Sequence, residues 1–170
     1  HGWSNAQVRR AGPGRPDQAS GGGAVIMAVD PGTTESGWVT YSMQRVFSSG
    51  VSSNAEVLEM IAKSPADGLA IEMFASYGMP VGFEAFETVR RIGRFQPARR
   101  NPDAVRLIFR RDVKLHLCGN SRAKDPNIRV ALIDKLGAPG TKAKPGATYG
   151  VRSHAWAALG VAVTAWEVPA

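Results

Sequence analysis

The order of apolar segments along the chain predicts a mixed α/β domain built on one central sheet. Three short β-type segments come first, and helical segments then alternate with two further strands. A length of 170 residues and a hydrophobic fraction of 44% suit one globular domain with its own core. These observations predict a five-stranded sheet flanked by helices, in which the first three strands form an antiparallel meander.

Five short segments rich in apolar and β-branched residues predict the strands. They cover residues 24–29, 38–42, 45–48, 69–71 and 105–109. The first segment is a continuous apolar run, which is typical of a buried strand, and a turn-forming sequence from Pro31 to Gly37 follows it. Because the first three segments follow one another closely, they predict the meander.

Segments with apolar side chains at helical spacing predict the helices. They cover residues 53–63, 83–95, 112–118, 126–136 and 154–167. Ser52 or Ser53 is the expected N-cap of the first helix, and Ser153 is that of the last. The Gly/Pro/Lys-rich stretch 137–149 is expected to be a flexible loop.

The N-terminal composition, the absence of long apolar runs and the cysteine content bear on where the protein is expected to act. Residues 1–23 are rich in Gly, Arg, Pro, Gln and Ser, so we expect a disordered arm or an artificial remnant of expression, with the folded domain at 24–170. We find neither a secretory-signal pattern nor an apolar run near the roughly 20 residues that span a bilayer. A single cysteine, Cys118, excludes an intrachain disulfide and a cysteine-based zinc site. These features predict a cytoplasmic protein with no membrane contact.

Charge is distributed unevenly along the chain. Residues 24–89 have two basic and eight acidic side chains, whereas residues 90–152 have sixteen basic and four acidic ones. The second segment is therefore basic enough to bind phosphate, and the first could hold a metal ion. A solvated face that keeps the protein soluble is the alternative. We favour nucleic-acid binding because the two segments adjoin.

Two carboxylates stand at the ends of apolar strands. Asp30 follows one predicted strand directly, and Glu72 follows another. Because burial of an unpaired carboxylate is costly, packing does not explain a charge at such a position. If the two strands are neighbours, the carboxylates converge at one edge of the sheet, where oxygen ligands suit a hard divalent cation. Either residue alone would be better explained as a solvated loop residue.

Four motifs, in order, resemble those of RuvC-type Holliday junction resolvases, which have a ribonuclease-H-like fold. Asp30-Pro31-Gly32 resembles the end of the family's first strand, and Glu72 the glutamate that ends its fourth. Lys114 and Lys124 lie in a segment similar to the family's basic segment. Residues 154–159 resemble the start of its final helix, which brings the last metal ligands.

The final helix departs from the bacterial pattern, in which two ligands stand one turn apart. His154 takes the first position, but Ala157 takes the second and offers no ligand. Segments 77–82 and 92–95 look more like bacteriophage members, and those relatives vary at this point. Three interpretations stay open: a site of Asp30, Glu72, His154 and water, a further ligand from Glu35 or Glu87, or an inactivated enzyme. We favour the first.

The resemblance implies metal-dependent hydrolysis of a phosphodiester. It implies two Mg²⁺ or Mn²⁺ ions per site, held by Asp30, Glu72 and His154, which activate water and stabilise the leaving oxygen. Imidazole favours Mn²⁺ over Mg²⁺, so we expect a manganese preference, and His154 could alternatively act as a general acid or base. Lys124 is expected to stabilise charge on the phosphate, and Lys114 to contact phosphate.

Further residues are expected to contact DNA or a second subunit. Phe74 and Tyr77 follow Glu72 in a loop and could stack on an unpaired base, although Phe74 could equally pack in the core. Basic side chains of the next helix could track phosphates, namely Arg90, Arg91 and Arg94. That helix also offers aromatic side chains to a partner in a symmetric homodimer, namely Phe83, Phe86 and Phe95.

Other functions fit the same residues. A general branch or flap endonuclease, active on forks and flaps, and an RNase H are alternatives within the enzymes. A junction-binding protein that does not cut is the alternative outside them, and Ala157 favours it. An actin-like or sugar-kinase-type ATP-binding domain is set aside because the chain is too short for two domains and lacks a second phosphate loop.

Overall fold

A computed structural model describes residues 23–170, so all of the predicted N-terminal arm except Gly23 lies outside the described residues. The described residues form one five-stranded mixed sheet, as predicted. Its strands are β1 (Ile26–Asp30), β2 (Glu35–Ser42), β3 (Arg45–Ser53), β4 (Gly68–Met73) and β5 (Val105–Phe109). The strand order is β3-β2-β1-β4-β5, in which β1, β2 and β3 form the expected antiparallel meander, and β4 and β5 are added in parallel.

Helices cover both faces of the sheet. They are α1 (Asn54–Lys63), α2 (Phe83–Ala98), α3 (Arg110–Cys118), α4 (Asp125–Leu136) and α5 (Ala155–Glu167). Side chains alternate between the two faces of a strand, so Met27 and Val29 of β1 pack in the core beneath α1 and α2, whereas Ala28 packs beneath α3, α4 and α5. None of the helices within residues 23–170 has the length and apolar character of a membrane-spanning segment.

The last helix, α5, is the centre of the core that lies between the sheet and α3 and α4. Ten of the thirteen residues of α5 are buried, because it lies between the sheet on one side and α3 and α4 on the other. A helix with apolar residues on all sides is expected only in such a position. Gly160 allows this packing, since a Cβ there would lie 3.1 Å from the side chain of Val113 on α3. The start of α5 is therefore held firmly against the sheet.

Two helix caps and one loop show where local sequence predicts structure and where it does not. Ser53 caps α1 in a capping box with Glu56, as expected. The predicted cap at Ser153 is wrong: α5 begins one residue later, and His154 stands at its N-cap without a side-chain hydrogen bond. Stretch 137–149 has more fixed structure than a flexible loop, because Thr148 donates a hydrogen bond to the carbonyl of Gly137 and Gly140 pairs with Pro145.

The surface of α2 corrects one predicted dimer contact. Phe95 is fully buried with Ile92 under the sheet, so it cannot be offered to a partner. The two residues are three positions apart and share the inner face of the helix. Phe83 and Phe86 lie on the other side and are 77% and 64% exposed. Helical phase, rather than aromatic content, separates the two groups.

A close backbone contact fixes the start of α5 against β2. A Cβ added at Gly37 would lie 2.3 Å from the carbonyl oxygen of His154, so no side chain fits between them. We expect Gly37→Ala to lower the free energy of unfolding by ~1–3 kcal/mol, as overpacking does elsewhere. Gly93→Ala is the matched control, because a Cβ on this exposed turn of α2 meets nothing within 4 Å. It should raise stability by ~0.5–1 kcal/mol. Urea denaturation of both variants measures the difference, and equal effects would contradict the packing argument.

Candidate active site

Parallel pairing of β1 and β4 brings the two predicted carboxylates together. Val29 of β1 pairs with Ile71 of β4, and the next residue of each strand is Asp30 or Glu72. The two carboxyl groups lie within hydrogen-bonding distance of each other, and both side chains are largely buried. The convergence expected at one edge of the sheet is therefore present.

Burial and mutual repulsion disfavour the ionisation of both carboxyl groups at once. Burial raises the pKa of Glu72 to about 8, and the neighbouring charge of Asp30 adds to that effect. Burial likewise raises the pKa of Asp30, although its hydrogen bond with Glu72 and the charge of Arg110 oppose the increase. Two carboxyl groups in contact hold one proton between them unless a cation neutralises them.

His154 and Ala157 stand beside the carboxylates in one cleft of about 390 Å³. This carboxylate cleft is lined by Asp30, Pro31, Gly32, Glu72, Arg110, Val113, Asp125, Ile128, Ser153, His154, Trp156 and Ala157. The Nδ1 atom of His154 lies 3.4 Å from Oδ2 of Asp30, and the histidine side chain is 56% exposed at the rim. Ala157 presents only a methyl group where the resemblance implies a ligand.

Sequence reasoning missed two charged residues in the cleft. Nη1 of Arg110 lies 3.1 and 3.2 Å from the two carboxylate oxygens of Glu72, and its Nη2 donates to Asp125. A signal for Arg110 existed, because it follows β5 directly, much as Asp30 ends β1 and Glu72 is the last residue but one of β4. β5 is the parallel neighbour of β4, with Phe109 paired to Met73, so its end reaches the same edge.

The donors in the cleft suit a divalent cation. Asp30 and Glu72 offer hard oxygen ligands, and a cation would neutralise a pair whose pKa values are raised by burial. Within residues 23–170, however, no group of three or more His, Cys, Asp or Glu side chains is arranged to hold an ion. The fit is therefore to an ion with two carboxylate ligands that retains several waters, as Mg²⁺ usually does. Glu35 and Glu87, considered as further ligands, do not line the cleft among the described residues.

A second concavity, of about 580 Å³, adjoins the cleft at Arg110. This basic groove is lined by Phe74, Ala75, Tyr77, Met79, Arg110, Arg111, Lys114, Ser121 and Arg122. It brings together the predicted Phe74, Tyr77 and Lys114. Tyr77 is 61% exposed, and Phe74 is partly buried at the groove wall instead of filling the core.

Two arginines of the groove were not predicted from the sequence. The guanidinium of Arg111 lies 5.4 Å from the ring centroid of Tyr77, at cation–π distance. Arg122 extends the positive lining beside Lys114. Both arginines belong to the basic segment, but sequence alone did not indicate which of its many charges share a wall.

Other predicted residues line neither the carboxylate cleft nor the basic groove of the described chain. Lys124 is exposed at the start of α4, next to Asp125, and its side chain lines neither the carboxylate cleft nor the basic groove of the described chain. Three predicted arginines line a separate small cleft on α2 with Glu87, namely Arg90, Arg91 and Arg94.

Comparison with known proteins identifies the fold. The sheet order and the helices of both layers define a ribonuclease-H-like domain. More particularly, the fold is RuvC-like: it is similar to RuvC of Thermus thermophilus in complex with a Holliday junction substrate, with a TM-score of 0.63 and 20% identity over 83% of this chain and 92% of that one. A further structure of Thermus thermophilus RuvC gives a TM-score of 0.61 at 20% identity, over 82% and 92%. No family model and no curated protein matches the sequence.

The raised pKa of Glu72 predicts how metal-free stability changes with pH. A carboxyl group whose pKa is higher in the folded chain stabilises the fold below its unfolded pKa, and this contribution is lost as pH rises towards about 8. In the presence of a metal chelator at pH 8, the melting temperature of Glu72→Gln should therefore be several degrees higher than that of the parent. At pH 4 the two melting temperatures should differ little.

Thermal melts at both pH values measure this effect. Glu59→Gln, on the exposed face of α1, is the control and should melt like the parent. Mn²⁺ should raise the melting temperature of the parent at pH 8 but not that of Glu72→Gln. A parent more stable than Glu72→Gln in chelator at pH 8 would contradict the argument.

Proposed function

We propose that this chain is a divalent-metal-dependent endonuclease that cuts phosphodiesters in Holliday junctions and other branched DNA. The observation that carries the proposal is the buried pair of Asp30 and Glu72 at the edge of a RuvC-like sheet. A buried carboxylate pair costs stability unless it binds a cation or shares a proton, so its presence favours a catalytic role over a structural one.

The residues of the carboxylate cleft have distinct roles in this proposal. Asp30 and Glu72 would hold a divalent ion, and Mg²⁺ and Mn²⁺ both fit oxygen ligands. Such an ion would supply an activated water and charge stabilisation at the phosphate. His154, beside Asp30 at the open rim, would either add a ligand that favours Mn²⁺ or act as a general acid or base. Lys124 lies outside the cleft, at the start of α4, and would contact a phosphate bound there.

The basic groove supports a role in DNA binding. Lys114, Arg111 and Arg122 line a wall that is positive and suits phosphates. Tyr77 and Phe74 on the same wall offer rings on which an unpaired base could stack. Because the groove joins the cleft at Arg110, a strand lying in it would reach the carboxylates. The structural neighbour from Thermus thermophilus contains a Holliday junction, which agrees with a branched substrate.

Exposed apolar residues of α2 support a homodimer. Phe83 and Phe86 lie on one helix face, three residues apart, and Val89 and Met79 are exposed nearby in sequence. A symmetric dimer would place two carboxylate clefts on one junction and so permit two opposed cuts. The resemblance of segments 77–82 and 92–95 to bacteriophage members leads us to propose a phage-type resolvase.

A junction-binding protein that does not cut is the second candidate. Its support is Ala157, whose methyl group lines the cleft where the resemblance implies a metal ligand. The basic groove would still bind DNA in that case. Only a cleavage assay distinguishes the two candidates.

A nicking assay on a mobile four-way junction tests the proposed activity. With Mn²⁺, we expect paired symmetric nicks, and Asp30→Asn should reduce the rate on the order of 10²-fold or more because an ion-holding charge is lost. Ala157→Asp should raise the rate in Mg²⁺ by adding an oxygen ligand. Glu59→Gln is the control and should cut like the parent.

Forks, flaps and RNA–DNA hybrids complete the substrate panel. Faster cutting of hybrids or flaps than of junctions would favour the other enzyme classes. Junction binding at low salt with no nicks in either metal would establish the second candidate. If Asp30→Asn cut as well as the parent, the carboxylate cleft would not be the active site.

The oligomeric state tests the α2 interface. We expect the parent to sediment as a dimer, and Phe86→Glu to sediment as a monomer because it places a charge in the apolar contact. Phe47→Glu, at an exposed aromatic residue of β3, is the matched control and should remain dimeric. A monomeric parent at micromolar concentration, or a dimeric Phe86→Glu, would contradict this interface.

A further inference from the structure

The carboxylate cleft contains a cation that belongs to the chain itself. Arg110 is bound on one side by both oxygens of Glu72 and on the other by Asp125. Its guanidinium therefore stands between two acidic residues that could otherwise converge on a metal ion. This arrangement explains why Asp125 lines the cleft without forming a ligand group with Asp30 and Glu72.

The charges that line the cleft can be counted. Three carboxylates and one guanidinium line it, namely those of Asp30, Glu72, Asp125 and Arg110. With a neutral histidine, the formal charge is −2 once metal binding has displaced the proton that Asp30 and Glu72 share. One divalent ion balances that charge. A second ion would leave the site with an excess of +2 in a partly buried cleft, where uncompensated charge is costly.

We propose that Arg110 takes the place of a second metal ion, and that the site uses one divalent ion. The inference rests on the proposed nuclease function, and it revises the two ions per site that the family resemblance implies. The guanidinium positions Glu72 for the single ion. It also borders the basic groove, so a phosphate passing from the groove to the carboxylates would meet its free N–H groups.

Lysine and arginine differ in this role, which gives the proposal a sharp test. An arginine donates from two nitrogens in a fixed plane and can hold Glu72 and Asp125 together, whereas a lysine supplies charge without the fork. Arg110→Lys should therefore keep the charge balance and only part of the positioning. Arg110→Ala removes both and leaves Glu72 and Asp125 free to bind metal.

Metal stoichiometry is the first measurement. The full chain is titrated with Mn²⁺ alone, and the free ion is followed by its paramagnetic resonance signal. We expect one ion per chain for the parent and for Arg110→Lys, and two for Arg110→Ala. Two ions per parent chain with affinities within about tenfold would overturn the proposal, as would a single ion in Arg110→Ala with unchanged affinity.

Cleavage of a junction at saturating DNA and Mn²⁺ is the second measurement. Arg110→Ala should fall about 100-fold despite binding more metal, and Arg110→Lys should recover part of that loss. Arg45→Ala, at an exposed arginine of β3, is the control and should match the parent in both measurements. Unchanged cleavage in Arg110→Ala would overturn the proposal.

Two different failures can be distinguished. A parent that binds one Mn²⁺ but cuts no branched DNA refutes the proposed function and retains the single-ion site. A parent that cuts junctions with two ions retains the function and refutes the role of Arg110. If Arg110→Ala does not fold, the stoichiometry of Arg110→Lys still decides, because two ions in that variant would contradict the charge balance.

Discussion

The parallel pairing of β1 with β4 is the constraint on which the site depends. It sets Asp30 beside Glu72 in a position that water hardly reaches, so neither carboxylate can ionise freely. Burial of such a pair costs more free energy than any single packing contact returns. A fold that keeps the pair must let it share a proton or place a cation beside it, and this one places Arg110 there, from the end of the next strand of the sheet.

The sheet and the two carboxylates could be predicted from the sequence more completely than the rest of the site. Apolar runs that end in an acid are visible along the chain, and they predicted both the strands and the convergence of Asp30 with Glu72. Arg110 was not predicted, because it is one of many basic residues in its segment, and only the parallel pairing of β5 with β4 distinguishes it from the others. Phe95 was misassigned for a related reason: only packing decides which face of α2 turns inward.

The order of strands in the sheet explains the uneven distribution of charge along the chain. The acidic segment supplies Asp30 and Glu72 from β1 and β4, and the basic segment begins on α2 and continues through β5, α3 and α4. Since β4 and β5 are neighbours, the boundary between the two segments falls at the carboxylate cleft. In the proposed function, an anionic ligand attracted by the basic groove would thus be led to the edge of the sheet where the chain could also hold a metal ion.

Ala157 and Arg110 are best understood together. Compared with a site that has an acidic residue at position 157, the alanine removes one negative charge, and Arg110 adds one positive charge. The combined difference is two charges, which is the charge of one divalent ion. A missing ligand alone would leave a weakened site. In the single-ion arrangement that we propose, the missing ligand and the internal guanidinium together balance the charge around one ion, and Ala157 would then be compatible with catalysis.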